Sequence, residues 1–573
     1  MSDEAAVALV GSGPAAAAVE AALTDGDHDA ARVEAADADP FELAVVVGPA
    51  GDARFDRANA SRSAPWVAVE LGGVGGRAVP GVDAAVSVLD PDGPCYDCLR
   101  SRVVSTEQDE AAGGPRTARA DARLAGAHAG RLAVQLLDGA AQVGTVLELP
   151  YQRRRLLAVP GCACEGERDG ALDREHEAVP LEPTIERAEG AVDQRLGPVQ
   201  SVGEAESFPA PYYLATVADT SGFSDAQASR QAAGVAADWN PAFVKAVGEA
   251  LERYAAGVYR EETFTVAPAG DLADAVSPEW FVRPEDDEEV AAADGPVQWV
   301  PGEDLHTGEA VQLPAERVLF PPPAERFGPA ITTGLGLGTS GAGALVSGLT
   351  EVVERDATML GWYSTFEPLA LSVDDPGYNT LERRARAEDL RATALLMTQD
   401  VDLPVVTVAV HREGDWPRFA VGSGAALDPV AAATAALEEA VQNWTELRGM
   451  GPEGAAEEEP HLARYAERPS EAAALIDAEG PVPAASVGPD EPPTGAAVLP
   501  ALLERLEDGG LDAYAARLTT RDLESLGFEA VRVLVPAAQP LFTGERFFGE
   551  RARTVPRELG YRPRFDRAFH PYP

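Results

Sequence analysis

The chain has 573 residues, which is long enough for two or more domains with separate hydrophobic cores. Its 94 acidic and 46 basic residues give a formal net charge of -48, which excludes the nucleic-acid backbone as an electrostatic partner. An acidic surface with a single lysine, Lys245, is typical of a salt-rich cytoplasm and predicts a halophilic host, because salt screens the self-repulsion of such a surface. The chain has no apolar run of about 18 residues or more, and its N-terminal segment lacks a basic start, so we expect a cytoplasmic protein without a membrane span.

The first predicted elements are an apolar strand, a glycine turn and an alanine-rich helix, in the sequence VALVGSGPAAAAVEAAL. Gly11, Gly13 and Ala16 fit the G-x-G-x-x-A pattern of phosphate-binding turns, and Asp37 follows near the end of the next predicted strand. Further buried strands are predicted in ELAVVVG and PWVAVEL, so the pattern indicates a Rossmann-like N-terminal domain. The same turn also serves plain packing of a helix on a strand. Pro14 favours that alternative because it removes one N–H from the turn.

Four cysteines stand in two close pairs, Cys95 and Cys98 in PCYDCLR, and Cys162 and Cys164 in GCACEG. In a reducing cytosol such pairs favour a metal over disulfides. Four thiolates complete the tetrahedral shell of Zn²⁺, and a closed shell of this kind is structural rather than catalytic. The spacing therefore predicts a structural zinc site joining two distant segments. A disulfide or an incidental grouping is the alternative.

Three segments are predicted along the chain. Residues 1–165 form the N-terminal domain, and residues 166–205 are charged, lack a sustained apolar period and indicate a linker. The second domain covers residues 206–573, where strands such as 404–412 and 530–536 alternate with long helices. The predicted fold class is α/β or α+β with mixed sheets.

The pattern Glu-x-x-Glu-Arg occurs twice in predicted helices, as Glu249, Glu252 and Arg253, and as Glu351, Glu354 and Arg355. Residues at i, i+3 and i+4 share one helical face, so each copy presents two carboxylates and a guanidinium together. Each copy alone is compatible with a solvated helix face. Two such faces meeting across a cleft would form a site suited to divalent cations that carry a polyphosphate.

Several longer segments resemble the YcaO family. AAGVAADWNPAFVKAVGEALERY, TTGLGLGTSGAGALVSGLTEVVERDA and LDPVAAATAALEEAVQ are similar to its three ATP-site segments, and the C-terminal run ending in RAFHPYP is similar to the tail of its azoline-forming members. The N-terminal region, with GPCYDCLRSR and GCACEG, resembles the E1/ThiF-like docking domain with a tetrathiolate zinc that is fused to SagD-like cyclodehydratases of the family. The resemblance covers residues 1–165 and 206–573.

The resemblance implies an ATP-dependent cyclodehydratase that converts Cys, Ser or Thr of a ribosomal precursor peptide to azolines through phosphorylation of the amide oxygen. It implies that Pro571 and Pro573 assist cyclisation, with a simple extended tail as the alternative. Ser340 would touch a phosphate or, alternatively, cap a helix. The ATP and Mg²⁺ ligands that the resemblance implies are Glu249, Glu252, Ser340, Glu351, Glu354, Arg355 and Glu439. Implied partners besides the peptide are a flavin dehydrogenase, a leader-binding chain and a second copy of this chain.

The sequence departs from the family pattern at several polar positions. Thr339, Gly343 and Val346 stand where Asn, Glu and Gln are common, and Ala435 replaces an arginine. Val235-Ala236 replaces a lysine-glycine pair and Lys245 replaces a serine. These differences keep a second hypothesis open, a degenerate member that binds a peptide or a partner without turning over ATP. A thioamide-forming enzyme and a nicotinamide oxidoreductase built on Gly11 and Gly13 are further alternatives.

Overall fold

The computed structural model describes residues 6–106, 114, 116–166, 170–284, 295–478 and 480–573. These residues form a mixed α/β protein, which confirms the predicted class. The described strands assemble into sheets of seven, three, six and five strands. Helices cover these sheets, and the apolar faces of both enclose the main hydrophobic clusters.

The N-terminal sheet has the strand order β2-β1-β3-β4-β5-β6-β7, with β2, β1, β3 and β4 parallel and the remaining pairs antiparallel. Its strands are β1 Val7–Val10, β2 Ala30–Arg32, β3 Leu43–Pro49, β4 Trp66–Leu71, β5 Ala84–Leu89, β6 Thr145–Leu149 and β7 Gln152–Arg155. Its helices are α1 Pro14–Asp25, α2 Ala53–Ser61, α3 Tyr96–Thr106 and α4 Arg119–Leu137.

The glycine turn between β1 and α1 packs directly on the neighbouring strand. Gly11 has φ of +105°, and a Cβ at this position would lie 2.3 Å from the Val47 carbonyl oxygen of β3. Pro14 occupies the first turn of α1, as expected of a residue without an N–H. Strand packing therefore requires a glycine here, whether or not the turn also meets a phosphate.

The segment predicted as a linker contains regular structure. Helix α5, Leu181–Ala191, lies within residues 166–205, and strand β8, Val199–Glu206, begins there. Ala188, Ala191 and Val199 are buried in the core that also holds Val247 and Leu251. Helix α5 buries only the small side chains of Thr184, Ala188 and Ala191, so its apolar period is too weak to be recognised among the charged residues. The domain limits at 165 and 205 stay predictions.

The central part of the chain forms a three-stranded antiparallel sheet, β10-β9-β8, and starts a six-stranded sheet whose strand pairs are also antiparallel. Its elements are β9 Tyr212–Val217, β10 Gln231–Val235, α6 Trp239–Ala256, β11 Thr265–Ala267, β12 Val297–Asp304, β13 Ala310–Pro314, α7 Ala315–Val318, β14 Leu335–Gly338 and α8 Gly341–Trp362.

The C-terminal part completes that sheet in the order β11-β12-β20-β21-β14, with β13 on β12, and adds the sheet β18-β17-β16-β15-β19. Its first elements are β15 Leu369–Ser372, α9 Pro376–Ala387, β16 Arg391–Leu396, β17 Val405–His411, β18 Phe419–Ala425, α10 Pro429–Glu458 and α11 Pro460–Ala466. The chain ends with β19 Val482–Pro483, α12 Val498–Asp508, β20 Tyr514–Arg517, α13 Arg521–Leu526, β21 Glu529–Leu534 and α14 Glu550–Glu558.

A buried ion pair joins the N-terminal sheet region to the rest of the chain. Arg102 of α3 donates to the Asp522 carboxylate of α13, which also accepts a hydrogen bond from the Tyr254 hydroxyl of α6 at 2.6 Å. The three side chains are at most 1% exposed. The Arg102 guanidinium also stacks over the ring of Phe223 at 4.9 Å. The cysteine-bearing helix α3 is thus packed against α6, one of the two Glu-x-x-Glu-Arg helices.

Candidate active site

Both Glu-x-x-Glu-Arg motifs lie on helices, as predicted, and their charged faces point into the protein rather than into bulk solvent. The apolar stripe of α6, from Ala246 to Tyr254, is fully buried. On the charged faces, the side chains of Glu252 and Glu354 are only 17% and 12% exposed. The interpretation as two solvated faces therefore does not hold. Glu439 of α10 joins the same region.

Each of the three helices that carry the glutamates lies against a glycine of an adjacent strand. A Cβ at Gly234, Gly336 or Gly422 would lie 2.2, 2.2 or 2.3 Å from the helix backbone of α6, α8 or α10. Only glycine permits helix and strand to approach this closely. The close approach brings the carboxylates within reach of main-chain donors at the strands.

One glutamate of each helix accepts a hydrogen bond from a backbone N–H at the adjacent strand. Glu249 accepts from Ala233 at 3.1 Å, and Glu351 accepts from Gly334 at 3.0 Å. The third carboxylate, Glu439, accepts from the N–H of Ser423 at 2.5 Å. These bonds fix one oxygen of each carboxylate and leave lone pairs of the other oxygen for a ligand.

Ser423 links two of the helices through its side chain as well. Its hydroxyl donates to Glu354 at 2.5 Å while its N–H holds Glu439. Ser423 was not predicted from the sequence, because a single serine in the buried strand FAVGSGA does not indicate which residues its side chain contacts. Only its position next to Gly422, the glycine that contacts α10, distinguishes it.

Two arginines balance the carboxylates. Arg355 lies 3.7 Å from Glu439, and its Nε lies 4.0 Å from both Glu354 and Glu351. Arg253 is 3.2 Å from Glu249 and 3.7 Å from Glu252. Five carboxylates thus share two close guanidiniums, and the excess negative charge is what a divalent cation would neutralise.

The pKa values of the buried carboxylates also indicate a site that a cation would stabilise. Burial raises the pKa of Glu252 to about 8 and the pKa of Glu354 to about 7. The pKa of Glu439 is also raised, again mainly by burial. The Glu351 charge adds to the shift at Glu252, which shows that the two motifs meet. Proton uptake and cation binding would therefore compete at these oxygens.

A cleft open to solvent, with room of about 470 Å³ for the centres of water-sized groups, lies beside the glutamates of α6 and α10. Four of the positions that depart from the family pattern line it: Val235, Lys245, Thr339 and Ala435. Lys245 is not free in the cleft, since its Nζ lies 2.5 Å from Glu438. The N–H of Gly343 donates to the hydroxyl of Ser340, the residue before α8, and Val346 packs against an apolar cluster.

Ser340 lies at the start of α8 and caps it. Its hydroxyl accepts a hydrogen bond from the N–H of Gly343 at 3.3 Å, and the residue is 6% exposed. The N–H of Ala342, in the first turn, donates to the Glu175 carbonyl at 3.1 Å. This geometry matches the capping alternative, and a phosphate contact of Ser340 stays a prediction.

The C-terminal residues are packed into the site. Arg355 donates through Nη1 to the Pro573 carbonyl at 3.2 Å. Pro571 and Tyr572 are buried, and the Tyr572 hydroxyl lies 3.3 Å from the Thr407 hydroxyl. The tail is thus packed against the protein rather than free in solvent, and a role of Pro571 and Pro573 in cyclisation stays a prediction. The structure brings Pro573 to the arginine that also meets Glu354 and Glu439.

The four cysteines form one cluster, with all four sulfur atoms within 4.8 Å of one another. The closest pairs are Cys98 with Cys164 at 3.5 Å and Cys95 with Cys162 at 3.6 Å, too far for a disulfide bond of about 2.05 Å. The N–H of Val159 donates to the Cys98 sulfur at 3.2 Å. A tetrathiolate shell with such a donor fits Zn²⁺.

The crevice beside the glycine turn is a separate feature of the N-terminal sheet. Gly11 and Asp37 both line it, together with Arg32 and Arg54. Arg32 donates to the Gly11 carbonyl at 3.1 Å and Arg54 to the Val47 carbonyl at 2.7 Å. The predicted pair Gly11 and Asp37 is thus brought together, and dinucleotide binding there stays a hypothesis.

Comparison with known proteins extends these observations. Residues 233–539 match the family model described as YcaO cyclodehydratase, ATP- and Mg²⁺-binding. The chain is 28% identical over 350 residues, 56% of its length, to an uncharacterized protein of Methanothermobacter thermautotrophicus, of which 85% is covered.

Two solved structures share the fold over 97% of this chain. A heterocyclase in complex with substrate and cofactor matches with a TM-score of 0.72, 20% identity and 83% of its own chain covered. The heterocyclase TruD matches with a TM-score of 0.65, 18% identity and 82% covered. Among the described residues, no helix is long and apolar enough to cross a membrane.

Proposed function

The chain belongs to the YcaO family, and on that premise we propose that it uses ATP and Mg²⁺ to cyclodehydrate Cys, Ser or Thr residues of a ribosomal precursor peptide to azolines. The observation that carries the proposal is the convergence of Glu354, Glu439 and Arg355 with Pro573. These contacts join the proposed cation site to the segment around Pro573, which a bound peptide substrate would contact.

The reaction mainly requires that the protein position the peptide and ATP and neutralise the charge of the phosphates. The side-chain thiol or hydroxyl adds to the preceding carbonyl carbon, and the oxygen of the resulting hemiorthoamide takes the γ-phosphoryl group of ATP, which releases ADP. The amide nitrogen then loses its proton, the C–O bond breaks and phosphate leaves. When bound, Mg²⁺ neutralises the triphosphate.

Residues of this chain have distinct proposed roles. Glu249, Glu252, Glu351, Glu354 and Glu439 hold the metal-nucleotide complex. Glu249, Glu252 and Glu439 line the cleft beside α6 and α10, and Glu351 and Glu354 lie next to them. Arg355 holds a phosphate oxygen and keeps Pro573 in place. Pro571 and Pro573 shape the tail against which the peptide cyclises. The four cysteines bind a structural Zn²⁺ that ties residue 98 to residue 164.

Incubation of the protein at high salt with ATP, Mg²⁺ and a candidate precursor peptide tests the proposal. We expect the peptide to lose the mass of one water per modified residue, with release of ADP and phosphate. Retention of peptide mass together with absent nucleotide binding in calorimetry would defeat it. Exchange of oxygen for sulfur, detected as a mass gain with a sulfide source, would support the thioamide-forming alternative.

A second candidate is a scaffold that binds the peptide or a partner without turnover. The walls of the cleft favour it, because Ala435 offers no polar contact and Lys245 is paired with Glu438. Nucleotide binding without peptide modification, or peptide binding without nucleotide, would support this candidate. A Cys-, Ser- and Thr-rich peptide encoded beside the gene would provide the substrate for both measurements.

A further inference from the structure

A second, narrower cavity lies behind the carboxylate site, with room of about 70 Å³ for the centres of water-sized groups. Arg317, Arg355 and Arg532 line it, and we refer to it as the arginine cavity. Its other walls are largely apolar and include Phe281, Ile331, Val352, Val535 and Phe547. An apolar chamber with three guanidiniums differs from the nucleotide cleft, whose walls carry Glu249, Glu252, Glu438 and Glu439.

The environment of Arg532 is the main evidence that the arginine cavity binds a ligand. Arg532 is 4% exposed, and it donates to the carbonyl groups of Thr332 at 2.9 Å and Ile331 at 2.8 Å. Its Nε is buried and has no hydrogen-bond partner. A buried N–H without a partner costs free energy, and the charge of Arg532 is compensated only through space, by Glu351 and Glu252. A ligand at this position would remove that cost.

Arg317 repeats the arrangement on the other side of the cavity. Its guanidinium lies 5.5 Å from the Phe281 ring centroid and donates to the Phe327 carbonyl, and its Nε is also buried without a partner. Within the described part of the chain, no carboxylate oxygen comes within 4.0 Å of the Arg317 or Arg532 nitrogens. Burial lowers the pKa of each arginine to about 10, and both remain cations at neutral pH.

The acidic groups near the cavity already have partners. Glu316 accepts from the Arg326 Nε at 2.8 Å and from the Arg326 N–H at 2.7 Å. Glu252 and Glu351 act on Arg532 only through space, and they face the cation site. Arg355 is balanced by the carboxylates of the cation site, so Arg317 and Arg532 supply the positive charge of the cavity, and its walls favour an apolar group beside an anion.

The cavity meets the proposed reaction centre at Arg355. This residue lines the cavity and also donates to the Pro573 carbonyl. We propose that the arginine cavity binds a carboxylate of the peptide substrate, carried next to an apolar side chain, and so selects which peptides are held for cyclisation. The inference rests on the proposed function, since it assigns the substrate side of that site.

The carboxylate has two possible sources in a peptide, the C-terminus and an Asp or Glu side chain. Four short probes separate them: acetyl-Leu-Phe as free acid and as amide, and acetyl-Phe-Asp-amide with its Asn counterpart. Calorimetry on the full chain without ATP measures their binding. We expect one acid to bind at least about tenfold more tightly than its neutral partner, because charge-assisted hydrogen bonds replace unpaired donors.

Two variants locate the binding. Arg532→Gln and Arg317→Gln should each reduce the acid-over-neutral preference about tenfold or more. Arg383→Gln, on the exposed face of α9, should leave the preference unchanged. Melting curves identify a variant that fails to fold. In that case the inference is decided by comparing the binding of the acid and neutral probes to the unchanged protein.

Equal binding of acid and neutral probes would overturn the inference, as would an acid preference that survives both substitutions. Titration of Mg²⁺-ATP on the same preparations keeps the proposed function separate. Loss of nucleotide binding with the acid preference intact would remove the proposed function and leave the carboxylate site. Intact turnover without an acid preference would remove the carboxylate site and leave the proposed function in place.

Discussion

The Pro573 carbonyl accepts a hydrogen bond from Arg355 at 3.2 Å, and the same arginine lies 3.7 Å from Glu439. One guanidinium therefore bridges the end of the chain and a carboxylate of the proposed metal site. The neighbouring Tyr572 is fully buried, and its hydroxyl lies 3.3 Å from the Thr407 hydroxyl. The tail is held in one conformation, which is what a group that positions a substrate requires.

The tail should matter for turnover more than for nucleotide affinity. The double variant Pro571→Ala, Pro573→Ala loosens the backbone beside Arg355, and we expect cyclodehydration to fall about 10- to 100-fold. The KM for ATP should change much less, since the carboxylates are untouched. Pro460→Ala, at the start of α11, is the matched control. Turnover equal to that of the unchanged protein would contradict a role of the tail.

Single carboxylates at the centre of the site should control Mg²⁺-ATP binding. Glu354→Gln and Glu439→Gln each remove a charge at nearly constant shape, and we expect Mg²⁺-ATP to bind about 10- to 100-fold more weakly in calorimetry. Glu388→Gln, just after α9 and away from the cleft, controls for a general effect of charge. Unchanged affinity in both site variants would argue against metal-nucleotide binding here.

The sequence predicts the parts of the site that depend on local periodicity. Glu249 and Glu252, or Glu351 and Glu354, share a helical face by spacing alone, and in the structure Glu252 lies close enough to Glu351 for their charges to interact. The cysteine pairs are equally local, and their spacing predicted a cluster that the fold assembles.

The remaining contacts could not be predicted because they join distant segments or use the main chain. The N–H groups of Ala233, Gly334 and Ser423 hold three glutamates, yet a backbone donor has no sequence signature. Arg532 appears in the sequence as one charge in the apolar strand AVRVLVP, and its unpaired Nε emerges only from the packing. Helix α5 was missed because it buries only small side chains.

The raised pKa values of Glu252 and Glu354 predict a specific pH dependence. In the folded protein without ligand these groups stay protonated up to about pH 8 and 7. In the unfolded chain, glutamate ionises near pH 4.3. The folded state therefore binds more protons between these values, so their stabilising contribution is present at low pH and is lost as the pH rises through about 7 and 8.

Binding of Mg²⁺-ATP should show the opposite trend, because the cation needs ionised carboxylates. We expect affinity to rise from pH 6 to pH 8 and binding to release protons. Calorimetry in two buffers of different ionisation enthalpy measures that release. Glu252→Gln should reduce the number of protons released, and proton release independent of this residue would contradict the assignment.

The cysteine cluster should hold about one Zn²⁺ per chain. Cys98→Ser, at the sulfur that accepts the Val159 N–H, should abolish zinc in elemental analysis and lower Tm by several degrees. A strong chelator should have the same effect on the unchanged protein, and added Zn²⁺ should reverse it. Sensitivity to reductant instead of chelator would indicate a disulfide and contradict the metal.

The buried pair of Arg102 and Asp522 should contribute strongly to the coupling between α3 and the site helix α6. Asp522→Asn leaves the Arg102 charge buried without a partner, so we expect a loss of about 3–5 kcal/mol in the free energy of unfolding. Asp56→Asn, in the exposed pair with Arg100, should change stability little.

The double variant Arg102→Met, Asp522→Leu removes both charges and should recover much of the stability lost by Asp522→Asn, because no buried charge remains unpaired. It still lacks the acceptor for Tyr254, which lies on the helix that carries Glu249 and Glu252. If that hydrogen bond positions α6, Mg²⁺-ATP affinity should stay reduced in the double variant although stability returns. Full recovery of both would show that the pair contributes only to folding.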